Sequence, residues 1–228
     1  MVIEFVGLPG SGKSTIAKLV HENLAQKGMK VESPTYHVTH ELGGGRRKAE
    51  KFVSAMTFIL SSPGLAWSFL AFICSTKQAR ASDTAKLWLH MAFLAGVIRD
   101  RNNCYLLLDQ GPVQGCASVG YRAQVPVNWN RALSILERGG LLADVVIVVD
   151  TTPETALRRL SGRTIRQSRA EGDDIQDIYR FATVIEEILY SFDELGSLPR
   201  ILRIQNRDAT NPSFAAEKAI KAIISTGM

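Results

Sequence analysis

The chain has 228 residues, 46% hydrophobic and 21% charged, with 27 Lys+Arg against 22 Asp+Glu and a formal charge of +5. That length suits one large α/β domain with a substantial core and leaves little room for a second, and the composition is ordinary for a soluble protein. Cys74, Cys104 and Cys116 are odd in number and lack paired metal-type spacing, which argues against a zinc site and for reduced, buried thiols.

The opening run Val2-Ile3-Glu4-Phe5-Val6 reads as a buried strand with no basic leader before it, which points to the cytoplasm. Directly after it stands Gly7-Leu8-Pro9-Gly10-Ser11-Gly12-Lys13-Ser14-Thr15, a full-length phosphate-binding loop in its strand-to-helix setting. A triphosphate needs many short donors around it, and a backbone freed by Gly7, Gly10 and Gly12 can curl closely enough to supply them. The following helix, expected over Ser14 to Lys27 and closed by Gly28, adds the positive end of its dipole. In this reading Lys13 reaches the β- and γ-phosphates of ATP, the Ser14 hydroxyl ligates Mg²⁺, and Thr15 touches the α-phosphate.

A short strand follows at Lys30 to Ser33, then helices at about Lys48 to Leu60, Leu65 to Ala79 and Asp83 to Arg101. Residues 52–76 carry no charge and in length could span a bilayer, but Ser61-Ser62-Pro63-Gly64 interrupts them, so a soluble helical hairpin is expected in preference to a membrane segment. Phe52, Phe58, Trp67, Phe69, Phe72, Trp88 and Phe93 make this region unusually apolar; each reads as core before it reads as the lining of an acceptor pocket. Arg46 and Arg47 read as a flexible basic loop, with a phosphate grip as the alternative. His37, His40 and His90 show no ligand spacing.

The strand at Cys104 to Asp109 delivers a carboxylate at its carboxyl end, where an acid in such a fold can hold the Mg²⁺ shell or orient an attacking hydroxyl. Further strands are expected at Val145 to Asp150 and Arg200 to Gln205, with helices at Asn128 to Glu137, Pro153 to Ser161, Ile175 to Leu195 and Pro212 to Ser225. Alternation of this kind is the signature of a parallel sheet covered on both faces. From Arg158 to Arg169 arginine is dense, and the cluster reads as a lid that closes over the triphosphate, with Glu171 to Asp174 as its hinge.

The phosphate loop, Asp109, the run from Ala143 to Glu154, the arginine cluster and the last strand with its helix resemble the nucleoside monophosphate kinases, especially the thymidylate kinase and adenylate kinase branches. The resemblance covers about two-thirds of the chain in outline. It implies a three-layer P-loop fold with a five-stranded parallel sheet and the phosphate-loop strand at its centre, a helical acceptor-binding insertion over 34–103 and a lid over 158–175. It further implies that Arg159 stacks on the adenine, that Arg163 and Arg166 act on the transferred phosphate, and that the loop from Asn206 to Thr210 walls the base pocket. Two departures stand out. The arginine that family members place after the acid is Gln110 here, which fits an acceptor without a phosphate, and the arginine-Pro-Gly-Gly motif of thymidylate kinases is absent.

The expectation is therefore an ATP- and Mg²⁺-dependent kinase of a small-molecule acceptor, a nucleoside or nucleoside monophosphate first and a sugar or antibiotic alcohol second. A nucleotide switch is disfavoured, because no Asn-Lys-x-Asp motif is present. Neither nucleic acid nor membrane is expected as a partner, and a homodimer is left open.

Overall fold

The computed structural model describes residues 1–162, 174–195, 199–206 and 212–227. Five strands form one parallel sheet: β1 (Val2–Val6), β2 (Val31–Glu32), β3 (Tyr105–Leu108), β4 (Val145–Asp150) and β5 (Arg200–Gln205), in the order β2-β3-β1-β4-β5. The strand before the phosphate loop is thus the central one, as expected.

Side-chain alternation along β1 assigns the two faces. Ile3 and Phe5 pack with Ile16, Val20 and Leu24 of α1 (Lys13–Gln26) and with Ala219 and Ile223 of the last helix, Pro212–Gly227. Val2 and Val6 point to the opposite face, under the helices that join the remaining strands. Both faces being covered explains why β1 and β4 are buried almost throughout.

Between β2 and β3 the chain is helical. A single turn, α2 (Pro34–Tyr36), runs into a π-helical turn at His37–Glu41, then α3 (Gly44–Ser61), α4 (Pro63–Ser75) and α5 (Ala81–Arg99). Arg46 and Arg47 therefore lie in the first turn of α3 and not in a loop. Among the described residues no single helix is long and apolar enough to cross a membrane; α3 and α4 together are, but they bend by 112° where Ser62 leaves the helical conformation ahead of Pro63. Phe58, Phe69, Phe72 and Phe93 are buried core, and the Trp88 indole donates to the Ala66 carbonyl at 2.7 Å. Phe52 and Trp67 are exposed. All three cysteines are free thiols, with Cys104 and Cys116 buried and Cys74 exposed.

After β3 come α6 (Pro112–Gly120), which the sequence reading missed, and α7 (Trp129–Arg138), whose cap Asn128 accepts from the Arg131 amide at 2.9 Å. After β4 come α8 (Pro153–Ser161), capped by Thr152, and α9 (Ile175–Leu195). The last helix is α10.

Glu4, midway along β1, is fully buried on the face of Val2 and Val6. Its carboxyl accepts the backbone amides of Gln114 (2.8 Å) and Val113 (3.2 Å) at the start of α6. Burial pushes it up to about 7 against the lowering effect of those amides. The folded state therefore binds a proton between pH 4.5 and about 7 that the unfolded chain has released. Stability from this group is complete below 4.5 and is lost as pH rises through 7, an effect of roughly 3 kcal/mol at about 1.4 kcal/mol per pH unit. Glu4→Gln is expected to be less stable, since its NH₂ must face an amide donor, yet to lose this slope in urea melts between pH 4.5 and 7.5; a slope unchanged by the substitution would assign the pH dependence elsewhere.

Candidate active site

The carboxyl ends of all five strands meet on one edge of the sheet, the place where open α/β sheets bind ligands. Each delivers a part of the site: the phosphate loop after β1, Ser33 to Thr35 after β2, Asp109 after β3, Thr151 after β4 and Asn206 after β5.

The loop's curvature needs glycine. Gly10 and Gly12 lie at φ +81° and +91°, and a Cβ on Gly12 would stand 2.4 Å from the Asn206 amide nitrogen. Gly12 caps α1 without a side-chain bond, so the cap residue itself leaves the helix's first amides open to a ligand. Lys13 curls over the loop, its Nζ donating to the carbonyls of Gly7 (2.7 Å) and Leu8 (2.8 Å). The far wall is set by Asn206, buried, whose Nδ2 donates to the Ser11 carbonyl at 2.6 Å, while Arg159 Nη1 stands 3.4 Å from the same oxygen. Thr151 holds Asn206 in turn, its hydroxyl donating to the Asn206 carbonyl at 2.5 Å. On the near side the Gly7 amide donates to Gln114 Oε1 at 3.0 Å, so α6 braces the loop as well.

Ser14 and Asp109 are brought together: the Ser14 hydroxyl donates to Asp109 Oδ2 at 2.9 Å. His40 Nε2 stands 3.6 Å from the same oxygen and its ring stacks on Tyr36 with centroids 4.5 Å apart. The Asp109 amide donates to Thr35 Oγ1 at 3.2 Å. Burial raises the Asp109 carboxyl, but His40 and the Thr35 and Ser14 hydroxyls outweigh it and hold the group below its ordinary value. A buried carboxylate is thus ionised beside the phosphate loop. Its other oxygen, Oδ1, is buried and has no hydrogen-bond partner among the described residues. An orphaned acceptor of that kind, next to a serine hydroxyl at a helix start, fits a divalent cation with its water shell.

No protein-family model matches the chain and no curated protein matches it. Among solved structures it is similar to a deoxyadenosine kinase from M. mycoides with the products dCMP and a flexible dCDP bound. The likeness has a TM-score of 0.54 over 99% of both chains, at 12% sequence identity. The two share a fold, a five-stranded parallel sheet with helices on both faces. Within this fold the structure gathers Gly7, Gly10, Ser11, Gly12, Lys13, Ser14, Asp109, Arg159 and Asn206 around one loop. Pro9 and Thr15 belong to the same turn and helix start. Arg163, Arg166 and most of the lid lie outside the described residues, as do residues 207–210.

Sequence reasoning passed over His40, Thr35, Gln114 and Glu4. His40 lies in a π turn with no regular period to mark it. Glu4 did carry a signal: a lone charge inside an otherwise apolar central strand demands a buried partner.

Proposed function

We propose that this chain is an ATP- and Mg²⁺-dependent phosphotransferase that moves a γ-phosphoryl group to a small-molecule acceptor, a nucleoside or nucleoside monophosphate. The observation that carries the reading is the 2.9 Å bond between Ser14 of the phosphate loop and the ionised, buried Asp109. It joins the triphosphate cradle to an acid at the end of the neighbouring strand.

Ser14 and Asp109 would hold Mg²⁺, which when bound would offset the negative charge of the phosphates. The backbone amides at Gly10 to Ser14 bind and orient the phosphates. Lys13, released from its two carbonyls, neutralises the charge that develops on the transferred group. Asp109 positions the acceptor and accepts a proton where the nucleophile is a hydroxyl. Asn206 and Arg159 fix the Ser11 carbonyl and so the shape of the loop, and Arg163 and Arg166 are assigned to the phosphates by resemblance to the nucleoside monophosphate kinases. The deoxyadenosine kinase likeness supports a nucleoside-type acceptor over a sugar or antibiotic alcohol.

ADP formation should be followed with Mg·ATP across nucleosides, nucleotides, sugars and antibiotic alcohols. Stimulation by a nucleoside or its monophosphate is expected. Calorimetry showing no association of the folded protein with any magnesium-complexed purine nucleotide would overturn the reading.

A further inference from the structure

Helices α3 and α4 are apolar on the side turned away from the core as well as on the side that forms it. Ala55 and Phe58 of α3 and Ala66, Phe69 and Phe72 of α4 are buried. On the outer side of α3, Phe52, Met56 and Leu60 follow one another at four-residue spacing, and Leu60 is 76% exposed. Past the corner at Pro63, the outer side of α4 carries Trp67, 70% exposed, and the exposed Cys74 two turns later. Four of the seven large hydrophobic side chains exposed among the described residues, Phe52, Val53, Leu60 and Trp67, thus fall within sixteen positions, which is a cluster and not scatter. A helix in contact with water ordinarily carries charge on its outer face, yet no charged residue lies between positions 52 and 76.

Charge is distributed to match. Residues 44–101 hold nine of the 27 Lys+Arg and three of the 22 Asp+Glu, a formal +6, so the rest of the chain, with 18 and 19, stands at −1. The whole net charge of +5 therefore resides in the helical segment between β2 and β3. Its cations stand at the borders of the apolar stretch. Lys48 is one turn before Phe52 and Arg46 two turns before Val53, while Lys77 and Arg80 follow α4; all four are exposed. Arg99, also exposed, marks the corner: it donates to the Ser62 hydroxyl, and its guanidinium lies 5.3 Å from the centre of the Phe58 ring.

An uncharged apolar surface bordered by cations is complementary to a bilayer with anionic headgroups, acyl chains meeting the one and phosphates the other, and an exposed indole such as Trp67 favours the boundary between them. A second copy of the chain is a poorer match, because a two-fold contact pairs the patch with itself and brings cations to cations. The 112° bend between α3 and α4 decides between crossing a membrane and lying on it. Pro63 keeps the two helices from forming one straight rod of bilayer length, which argues against a span but not against a helix pair lying in the interface.

We propose that the outer side of α3 and α4 is a membrane-docking surface, which lays Phe52, Leu60 and Trp67 into the headgroup boundary of an anionic bilayer while Arg46, Lys48, Lys77 and Arg80 meet lipid phosphates. It is independent of the kinase reading, and nucleotide takes no part in its test. Cosedimentation should compare vesicles of phosphatidylcholine alone with vesicles that also contain about 30% phosphatidylglycerol. Binding is expected to the anionic set, to fall as salt rises, and to weaken about 5-fold with Arg46→Gln and as much again with Lys48→Gln, the worth of one cation near a charged surface. Leu60→Ser/Trp67→Ser should melt with the parent, since both side chains are exposed, and should no longer sediment with the vesicles. Trp67→Phe keeps the apolar area and should still bind. Failure of the parent to sediment with the anionic set, binding equal in the parent and the folded serine variant, or binding indifferent to both charge substitutions would overturn the proposal. So would a dimer in analytical ultracentrifugation that the serine variant breaks into monomers and that anionic vesicles do not displace, since a second copy would then be the occupant.

Discussion

Lys13→Ala is expected to cut phosphoryl transfer by roughly 10³-fold while the protein stays folded, as the loss of a preorganised cation from a developing charge does elsewhere. The folding half of the expectation follows from what Lys13 touches. Its ammonium donates to the loop carbonyls of Gly7 and Leu8 at 2.7 and 2.8 Å, and the loss of such bonds costs about 1 kcal/mol each. The strand and helix that carry the loop are anchored separately, by Ile3 and Phe5 against Ile16, Val20 and Leu24. Circular dichroism and thermal melting should therefore match the parent to within a few degrees. Wild-type-like turnover in the folded variant would end the phosphotransfer proposal.

Asp109→Asn separates the acid's chemistry from its place in the structure. The amide is nearly isosteric, so the bond from residue 109's backbone to Thr35 survives, and an oxygen remains for the Ser14 hydroxyl. What disappears is a negative charge that His40 and two hydroxyls keep ionised despite burial. Turnover is expected to fall by about 10²–10⁴-fold, the usual worth of a positioned acid or base, and nucleotide affinity by much less. Because the group lies below its ordinary value, the wild-type rate should hold into acid and decline only as pH falls through that lowered range. Equal losses in turnover and nucleotide affinity would make Asp109 a structural residue.

The phosphate loop, the five strands and their central member were legible because each rests on strong local constraints: glycines at fixed spacing, and apolar runs such as Val145 to Val149 that only a doubly covered sheet can bury. β2 was placed correctly but is only two residues long, since an edge strand owes its length to pairing that sequence does not display. Helix α6 escaped notice because Gly115 and Gly120 dilute its pattern. Their glycines serve tertiary packing: a Cβ at 115 would meet the Met91 sulfur at 2.6 Å, and one at 120 the Trp129 ring at 2.3 Å. The acceptor side was the least legible part. Its residues converge from α2, the π turn and the end of β3, elements separated by up to 74 positions, and neither spacing nor composition records such a meeting.

Strand order also sets which half of the site can loosen first. β1 is paired on both sides and sheathed above and below, so amide protons beneath the phosphate loop should exchange only when the whole molecule opens. Thr35 and His40 hang instead from a two-residue rim strand with a single neighbour. Breathing at that rim would let one compound enter and another depart on the acceptor side while the nucleotide cradle keeps its shape. A rigid hub beside a yielding margin is the mechanical outcome of placing β1 third of five.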